Sequence, residues 1–217
     1  MEGAFLYLSR LEFFVAASAP AVDVKTELRR RLRAQRRALS LEARGHAAER
    51  VAANLVATRA FRAGRRVACY LPNDGEIDTA EVIEHVRRLH KHCYLPVLSR
   101  LGHDRLWFAP AIPGAKLALN RYGILEPVIP TRALVRAQDL DLVLLPLVAF
   151  DETGQRLGRG GGYYDRSLAF LNHRRRWRKP RVIGLAYDFQ KVATLPRDAW
   201  DVPLDAIVTD EAVYVIE

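Results

Sequence analysis

Apolar residues recur at helical spacing near the start of the chain. The members of the first stripe are Val24, Leu28, Leu32 and Leu39. Their intervals of four and seven residues predict a helix over residues 24–39, with Asp23 as its N-cap. Ser40 then precedes a second helical stretch, predicted over residues 41–61, which Gly64 helps to close.

Short apolar strands and amphipathic helices alternate after these two helices. The predicted elements are a strand at 67–71, a helix at 79–89, a strand at 93–97 and a strand at 106–109. Glycine and prolines interrupt residues 117–130, which predicts an extended excursion rather than a regular element. Residues 141–150 are strongly apolar and bounded by polar residues, so they predict a fully buried central strand.

The last third of the chain continues this alternation. A Gly-rich loop is followed by a predicted helix at 163–171, a basic segment at 173–179, a strand at 182–186 and a last strand near 207–209. Such alternation favours parallel strands with helices packed against them. We therefore predict an α/β fold: a single three-layer domain with a mostly parallel central sheet covered by helices on both faces.

Residues 1–22 form a separate apolar stretch. They carry Arg10 and Glu12 within the apolar run and have no basic region ahead of it. This pattern matches a signal peptide poorly and is too short for a membrane span. We interpret 1–22 as an N-terminal extension that need not be ordered and 23–217 as the folded domain, with a signal peptide as the alternative.

Composition and charge narrow the class of protein without choosing a function. Half of the 217 residues are apolar, which is enough for a sizeable core. The net charge of +9 would attract nucleic acids, nucleotides or carboxylated metabolites alike. Cys69 and Cys93 lie in predicted strands without a CxxC spacing, which favours a reducing cytoplasm and two core residues, a disulfide between adjacent strands being the alternative.

The strongest local signal is the segment RLGRGGGYYDR at residues 156–166. Its glycines would let backbone N–H groups converge on a phosphate, and the helix that follows would add partial positive charge. It is neither a P-loop nor a dinucleotide-binding fingerprint. A tight connection is the alternative, but arginines and an aspartate in the same turn favour an anion and its metal.

Asp165 is the first candidate for a magnesium ligand, because nucleotide sites hold Mg²⁺ with one or two carboxylates, phosphate oxygens and water. Its alternative role is to cap or charge the first turn of the predicted helix. A second carboxylate could come from Asp201 or Asp205, which both precede the last predicted strand.

One face of the first predicted helix is basic. The residues on this face are Lys25, Arg29, Arg33 and Arg36. They could form a solvated surface, or Lys25 and Arg29 could reach phosphate or carboxylate groups of ligands.

Glu76 follows the end of a predicted strand, where open α/β sheets bind ligands. Its carboxylate could accept hydrogen bonds from ring nitrogens, or it could be solvated, with Asp78 as the N-cap of the next helix. The histidines at 85, 90 and 92 lack the spacing of a helical metal pair, and no nucleophile pattern is evident.

Three separated segments resemble the 5-formyltetrahydrofolate cyclo-ligase (5,10-methenyltetrahydrofolate synthetase) family. Residues 25–29 resemble its K-x-x-L-R helix, residues 76–79 its E-I-x-T turn, and residues 146–166 its signature P-x-x-A-F-D-x-x-G-x-R-L-G-x-G-x-G-Y-Y-D-R. The resemblance extends over residues 24–209. The chain departs from it at Trp200, where many relatives carry a polar residue, and at Gly161, where some carry lysine.

The resemblance implies an ATP-dependent cyclisation of 5-formyltetrahydrofolate to 5,10-methenyltetrahydrofolate with release of ADP and phosphate, and Mg²⁺ as cofactor. The implied ATP-binding residues are Lys25, Arg29, Arg156, Leu157, Gly158, Arg159, Gly160, Gly161, Gly162, Tyr163 and Tyr164. The implied substrate-binding residues are Arg29, Leu71, Glu76 and Tyr163. The implied metal ligands are Asp165 and Asp201, and the catalytic residues are Arg159, Tyr163 and Asp165.

As a member of this family the chain would be a cytoplasmic monomer with no membrane attachment and no stable nucleic-acid partner. Two alternatives stay open. The basic helix and residues 173–179 could belong to a nucleic-acid-binding protein. The same ATP loop could also serve a relative that acts on another substrate.

Overall fold

The computed structural model describes residues 23–99, 104–174 and 179–216. The predicted extension at 1–22 and the central part of the basic segment, 175–178, lie outside these ranges. The helices are α1 (Val24–Ala38), α2 (Leu41–Ala57), α3 (Arg59–Ala63), α4 (Ala80–Arg88) and α5 (Tyr163–Leu168). A 3₁₀ stretch, Ala169–His173, continues α5 over the rest of the helix predicted at 163–171.

The predicted cap of the first helix is confirmed, and Ser40 caps the second helix. Asp23 accepts a hydrogen bond from the Lys25 backbone N–H, and Ser40 accepts one from the Ala43 N–H. The single helix predicted at 41–61 is wrong, because Thr58 interrupts it. The Thr58 hydroxyl donates to the Leu55 carbonyl and accepts from the Phe61 N–H, so it ends α2 and caps the short α3.

The strands are β1 (Arg66–Ala68), β2 (His92–Leu98), β3 (Leu106–Pro110), β4 (Leu117–Leu119), β5 (Leu125–Pro127), β6 (Leu142–Pro146), β7 (Ala149–Phe150), β8 (Arg156–Leu157), β9 (Arg181–Leu185), β10 (Ala206–Val208) and β11 (Val213–Val215). Seven of them form one sheet in the order β11-β10-β9-β6-β1-β2-β3. Neighbours run parallel from β10 to β2, and the edge strands β3 and β11 are antiparallel. The mostly parallel sheet of the prediction is confirmed.

The core lies on both faces of this sheet. Val67 of β1 packs in a cluster with Leu55 of α2 and Val86 of α4. The next residue, Ala68, faces the opposite way and shares a cluster with Leu168 of α5. Burying a leucine side chain of this kind stabilises the fold by about 1.5 to 3 kcal/mol. Successive strand residues therefore hold helices on both faces, as predicted.

Three parts of the sheet prediction needed correction. Residues 117–130 contain the hairpin β4–β5, in which Leu117 is paired with Pro127, rather than an irregular excursion. Residues 141–150 contain two strands, since β6 ends at Pro146 and β7 turns away to pair with β8. Strand β11 was not predicted. Cys69 and Cys93 are free, buried thiols, which agrees with two core residues.

Helix α1 packs against the residues that follow the carboxyl end of β6. Leu32 lies in a small cluster with Ala149 and Leu157 of the β7–β8 hairpin. The buried Arg36 donates to the Leu147 carbonyl at 3.3 Å. With the hydrogen bond from Arg29 to the Gly158 carbonyl, these contacts place α1 beside the Gly-rich loop that begins at β8.

Candidate active site

A cavity of about 570 Å³ opens at the carboxyl ends of β1 and β6. Its walls come from α1, the Gly-rich loop, the β4–β5 hairpin and residues 198–201. This is the edge at which open α/β sheets bind ligands. The predicted site residues that line it are Lys25, Arg29, Leu71, Glu76, Arg156, Leu157, Gly158, Arg159, Gly160, Gly161, Gly162, Tyr163, Tyr164, Asp165 and Asp201. The structure thus brings the whole predicted set together, although the role of each residue stays a prediction.

Glu76 enters the cavity from a tight turn. Asp74 and Gly75, with φ angles of 58° and 72°, occupy its two central positions, and the Glu76 N–H donates to the Asn73 carbonyl at 3.2 Å. Positive φ at both central residues is typical of a type I′ turn, for which Asp-Gly is a favoured pair. The turn therefore explains why Glu76 projects from this point of the chain.

The Glu76 carboxylate is buried, with 4% of the side chain exposed. Its Oε2 accepts from the Asn73 N–H at 3.1 Å, and its Oε1 lies 4.0 Å from Nη1 of Arg159. Burial raises the pKa of Glu76, while the guanidinium groups of Arg36 and Arg159 and the Asn73 N–H oppose that rise. The solvated alternative for Glu76 is wrong.

Three arginines of α1 hold the turn through Asp74. Arg33 donates from Nε to the Asp74 carboxylate at 2.6 Å, Arg36 donates from Nη2 at 3.1 Å, and Arg37 also contacts it. Burial opposes ionisation of Asp74, but hydrogen bonds from Arg37 and Arg33 outweigh it and lower its pKa to about 2. Arg33 and Arg36 are therefore fixed in an ion-pair network instead of forming a solvated face.

Lys25 and Arg29 lie on the cavity side of α1. The Lys25 ammonium lies 2.5 Å from Oδ2 of Asp198, and Nε of Arg29 donates to the Gly158 carbonyl at 2.9 Å. Both cations therefore contact the segments that border the cavity. Asp198 was not among the predicted site residues, because a single carboxylate in a loop has no distinctive sequence signal.

The Gly-rich loop needs glycine at specific positions. Gly160 and Gly162 have φ angles of 103° and 62°, and a Cβ atom on Gly162 would lie 2.6 Å from Nη1 of Arg166. At Gly161 a Cβ would lie 2.9 Å from the Tyr163 ring. A lysine at position 161, which some relatives carry, would therefore require the Tyr163 ring to shift.

Asp165 does not cap α5, because that helix has Gly162 at its N-cap and no side-chain cap hydrogen bond. Instead Oδ1 of Asp165 accepts from Nη2 of Arg156 and, at 3.4 Å, from the Val202 N–H. The capping role is therefore wrong, whereas Asp165 does lie in the first turn of α5, where its charge favours the helix. Burial lowers the pKa of Arg156, while the carboxylates of Asp165 and Asp201 favour its charged form.

Of the two candidates for a second metal-binding carboxylate, Asp201 lines the cavity and Asp205 does not. The two oxygens of Asp205 accept from Arg181 at 2.6 Å and from the Val182 N–H at 2.7 Å, at the amino end of β9. Asp201 accepts from the Asp198 N–H through Oδ2 at 2.8 Å and faces the cavity.

These donors fit a magnesium ion that arrives with phosphate. Within residues 23–99, 104–174 and 179–216, no group of three or more His, Cys, Asp or Glu side chains could hold a metal by itself. Mg²⁺ bound to nucleotides usually takes one or two carboxylates and completes its shell with phosphate oxygens and water. Asp165 and Asp201 match that pattern.

The β4–β5 hairpin forms a wall of the cavity that was not predicted. Tyr122 and Tyr163 place their hydroxyl oxygens 2.7 Å apart, and Arg121 also donates to the Tyr163 hydroxyl. Leu125 lines the cavity from the same hairpin. The short connection that contains Gly123, between the apolar residues at 117–119 and 124–125, was the signal that could have revealed it.

Two further aromatic residues line the cavity: Trp200, which was not a predicted site residue, and Tyr164, which was. Trp200 lies on the wall with 67% of its surface exposed. The Tyr164 side chain also lines the cavity, and burial raises the pKa of its hydroxyl well above the usual range.

In the part of the chain that the structure describes, no helix has the length and apolar character to span a membrane.

Comparison with known proteins points to one family. The model of the 5-formyltetrahydrofolate cyclo-ligase family matches residues 21–210. The chain is 39% identical to the 5-formyltetrahydrofolate cyclo-ligase of Escherichia coli K12, over 84% of this chain and 98% of that protein. It is 37% identical to the Haemophilus influenzae enzyme of the same name, over 84% of this chain and 93% of the relative.

Solved structures agree. The NMR structure of Aquifex aeolicus 5,10-methenyltetrahydrofolate synthetase superposes with a TM-score of 0.74 and 36% identity, covering 89% of this chain and 93% of that one. The 5,10-methenyltetrahydrofolate synthetase of Mycoplasma pneumoniae superposes with a TM-score of 0.66 and 28% identity, covering 87% of this chain and 99% of that one.

Proposed function

The chain belongs to the 5-formyltetrahydrofolate cyclo-ligase family of enzymes, and on this basis we propose that it converts 5-formyltetrahydrofolate to 5,10-methenyltetrahydrofolate at the expense of ATP. The observation that carries this proposal is the position of Arg159, in the Gly-rich loop, 4.0 Å from the buried Glu76. A nucleotide on the loop and a ring system on Glu76 would therefore meet in one cavity. Its volume of about 570 Å³ is in the usual range for small-molecule sites.

The nucleotide would bind at the Gly-rich loop. Arg29 contacts this loop and Lys25 lines the same cavity, and both can contact phosphate oxygens, Lys25 as a point charge and Arg29 through its planar fork. Lys25 would exchange the Asp198 carboxylate for a phosphate when ATP binds. Asp165 and Asp201 would hold Mg²⁺, which supplies charge neutralisation on the phosphates when bound.

The folate would bind at the opposite side, around Glu76. A pterin ring presents N–H donors along one edge, and a buried carboxylate is a strong acceptor for such donors. Leu71 and Leu125 supply apolar surface nearby. Tyr163 lies between the loop and the hairpin, where it can contact the folate.

The reaction needs alignment more than a strong base. The formyl oxygen forms a bond to the γ-phosphorus of ATP as the bond to ADP breaks. N10 then attacks the activated carbon, loses its proton, and phosphate leaves with the former formyl oxygen. Arg159 can balance negative charge on the transferred phosphoryl group, because its guanidinium reaches from the loop toward the folate side.

The test is the appearance of the methenyl chromophore from 5-formyltetrahydrofolate. We expect turnover with ATP and Mg²⁺, none without ATP, and inhibition by EDTA. Absence of turnover under all conditions would overturn the proposal. Turnover of a different ATP-dependent substrate would favour the alternative of a relative with another specificity.

The remaining proposals concern location and partners. We propose a cytoplasmic monomer without a stable nucleic-acid partner. Asp74 offsets part of the positive charge of Arg33, Arg36 and Arg37, and Arg36 is buried, which reduces the basic surface that α1 could offer to a nucleic acid. Salt-sensitive RNA binding without turnover would instead support a nucleic-acid-binding protein.

A further inference from the structure

We propose that Arg156 is a positioning residue that fixes the two carboxylates of the metal site, rather than a direct contact to ATP. The proposal rests on the proposed function, because it takes Asp165 and Asp201 as the ligands of Mg²⁺. It reassigns a residue that the family resemblance implies to be an ATP-binding residue of the Gly-rich loop.

The Arg156 guanidinium is held by hydrogen bonds to other residues of the protein. Its side chain is 7% exposed, Nη1 donates to the Val202 carbonyl and Nη2 donates to Oδ1 of Asp165. Lys25 and Arg29 are differently placed: each makes one polar contact on the cavity side of α1. With only 7% of its side chain exposed, Arg156 presents little surface to a phosphate, and turning the guanidinium toward one would leave a partner unpaired, which is costly.

The two partners of Arg156 belong to the two segments that carry the carboxylates. Asp165 is in the first turn of α5, and Val202 is the residue after Asp201. The Val202 N–H also donates to Oδ1 of Asp165, at 3.4 Å. One guanidinium therefore joins the helix of the first carboxylate to the backbone beside the second.

This arrangement leaves one oxygen of each carboxylate available. Oδ1 of Asp165 accepts from Arg156 and the Val202 N–H, while no donor among the described residues contacts Oδ2. Oδ2 of Asp201 accepts from the Asp198 N–H, and its Oδ1 has no donor within the described residues either. Each carboxylate is thus oriented through one oxygen and can offer the other to a cation.

The positive charge of Arg156 also serves the site before a metal arrives. Two carboxylates on one cavity wall repel each other, and a guanidinium bonded to one of them offsets that repulsion. Hydrogen-bond partners of metal ligands commonly tune metal affinity, and their removal costs about 10-fold to 100-fold in affinity. Arg156 therefore has the position and the charge of such a partner.

The experiment uses the full-length variants Arg156→Lys and Arg156→Gln. It distinguishes a residue that positions the metal ligands from one that contacts phosphate. Mn²⁺ binding is measured by electron paramagnetic resonance with a non-hydrolysable ATP analogue, and binding of the analogue alone is measured by calorimetry in EDTA. We expect Mn²⁺ affinity to fall about tenfold or more while the metal-free analogue binds within about twofold of wild type. Lysine can satisfy one partner but not both, so the loss should be smaller in Arg156→Lys than in Arg156→Gln.

Lys25→Met is the matched control and should show the opposite pattern. In this variant the metal-free analogue should bind more weakly, whereas Mn²⁺ affinity should change less. If the Arg156 variants behave like Lys25→Met, the positioning role is refuted.

If neither Arg156 variant folds, wild-type chain with ¹⁵N-labelled arginine is measured by NMR. The Arg156 side-chain signals should move when Mg²⁺ is added to the analogue complex and not when the analogue is added alone. Movement with the analogue alone would refute the proposal.

The same measurements distinguish failure of the inference from failure of the proposed function. Wild-type protein that binds no Mn²⁺ with the analogue, or that turns over 5-formyltetrahydrofolate equally well in EDTA, would refute the metal site itself. Wild-type protein that passes both tests, with Arg156 variants that lose metal-free analogue binding, would refute only the role of Arg156.

Discussion

Replacing Asp74 with asparagine tests how the turn that carries Glu76 is held. Asparagine keeps the size of the side chain and tolerates the positive φ of 58° at this position. The change therefore removes the negative charge that faces Arg33, Arg36 and Arg37 without adding backbone strain.

The expected loss of stability follows from the pKa of Asp74. A fall from the ordinary value of 3.8 to about 2 corresponds to roughly 2 kcal/mol, at about 1.36 kcal/mol for each factor of ten in acidity. That shift already includes the attraction of Arg33, Arg36 and Arg37 for the carboxylate, so no separate ion-pair contribution is added. We expect Asp74→Asn to lower the free energy of unfolding by about 2 kcal/mol at neutral pH.

The lowered pKa of Asp74 also fixes how the stability difference should change with pH. Because folding lowers the pKa of Asp74, the stabilisation is complete above the unfolded pKa near 3.8 and is lost as pH falls toward about 2. Urea denaturation of wild type and variant should therefore show a difference that is constant from pH 7 to 5 and shrinks between pH 4 and 3.

A matched control is Glu84→Gln, which removes an exposed ion pair with Arg88 on α4 and should change stability by less than about 0.5 kcal/mol. A neutral-pH difference for Asp74→Asn no larger than that of the control would refute the reasoning. So would a difference that persists unchanged at pH 3.

Three further predictions address the ligands. Glu76→Gln should raise the Michaelis constant for 5-formyltetrahydrofolate more than about threefold, since a buried mismatch costs about 1 to 3 kcal/mol, while ATP binding without folate stays near wild type; weaker ATP binding would place the pterin elsewhere. Lys25→Ala should weaken ATP binding by about 2 to 5 kcal/mol, whereas Arg30→Ala, with 73% of its side chain exposed, should cost less than about 1, and equal small effects would make Lys25 a surface charge. Asp165→Asn should keep the fold yet lose most activity at limiting Mg²⁺, and normal turnover there would remove it from the metal site.

The sequence was most informative where local signals were strong. The leucine stripe and Asp23 predicted α1 nearly to the residue, because amphipathic spacing and a cap act locally. The signature at 156–166 and Glu76 identified one cavity, since parallel strands end at the same edge of a sheet.

The sequence was least informative where one residue overrides a periodic pattern, where an element is very short, and where distant residues must meet. Thr58 interrupts a continuous helical pattern by bonding its own backbone neighbours, which competes with helix propensity at one residue. The β4–β5 hairpin has strands of three residues each, too short for a periodicity to emerge. The engagement of Arg156 depends on Asp165 and Val202, whose approach only the folded chain defines.

Lys25 pairs with Asp198, which lies 173 positions later in the chain. This contact, and the cavity wall to which it belongs, can therefore form only late in synthesis. Helix α1 leaves the ribosome early, but Leu157 and Leu195, which cover its apolar face, are translated much later. At about 5 to 20 residues per second, this face stays uncovered for on the order of ten seconds. Nascent chains therefore have an exposed leucine stripe as a target for chaperones, and fragments released early would have neither a complete cavity nor a nucleotide site.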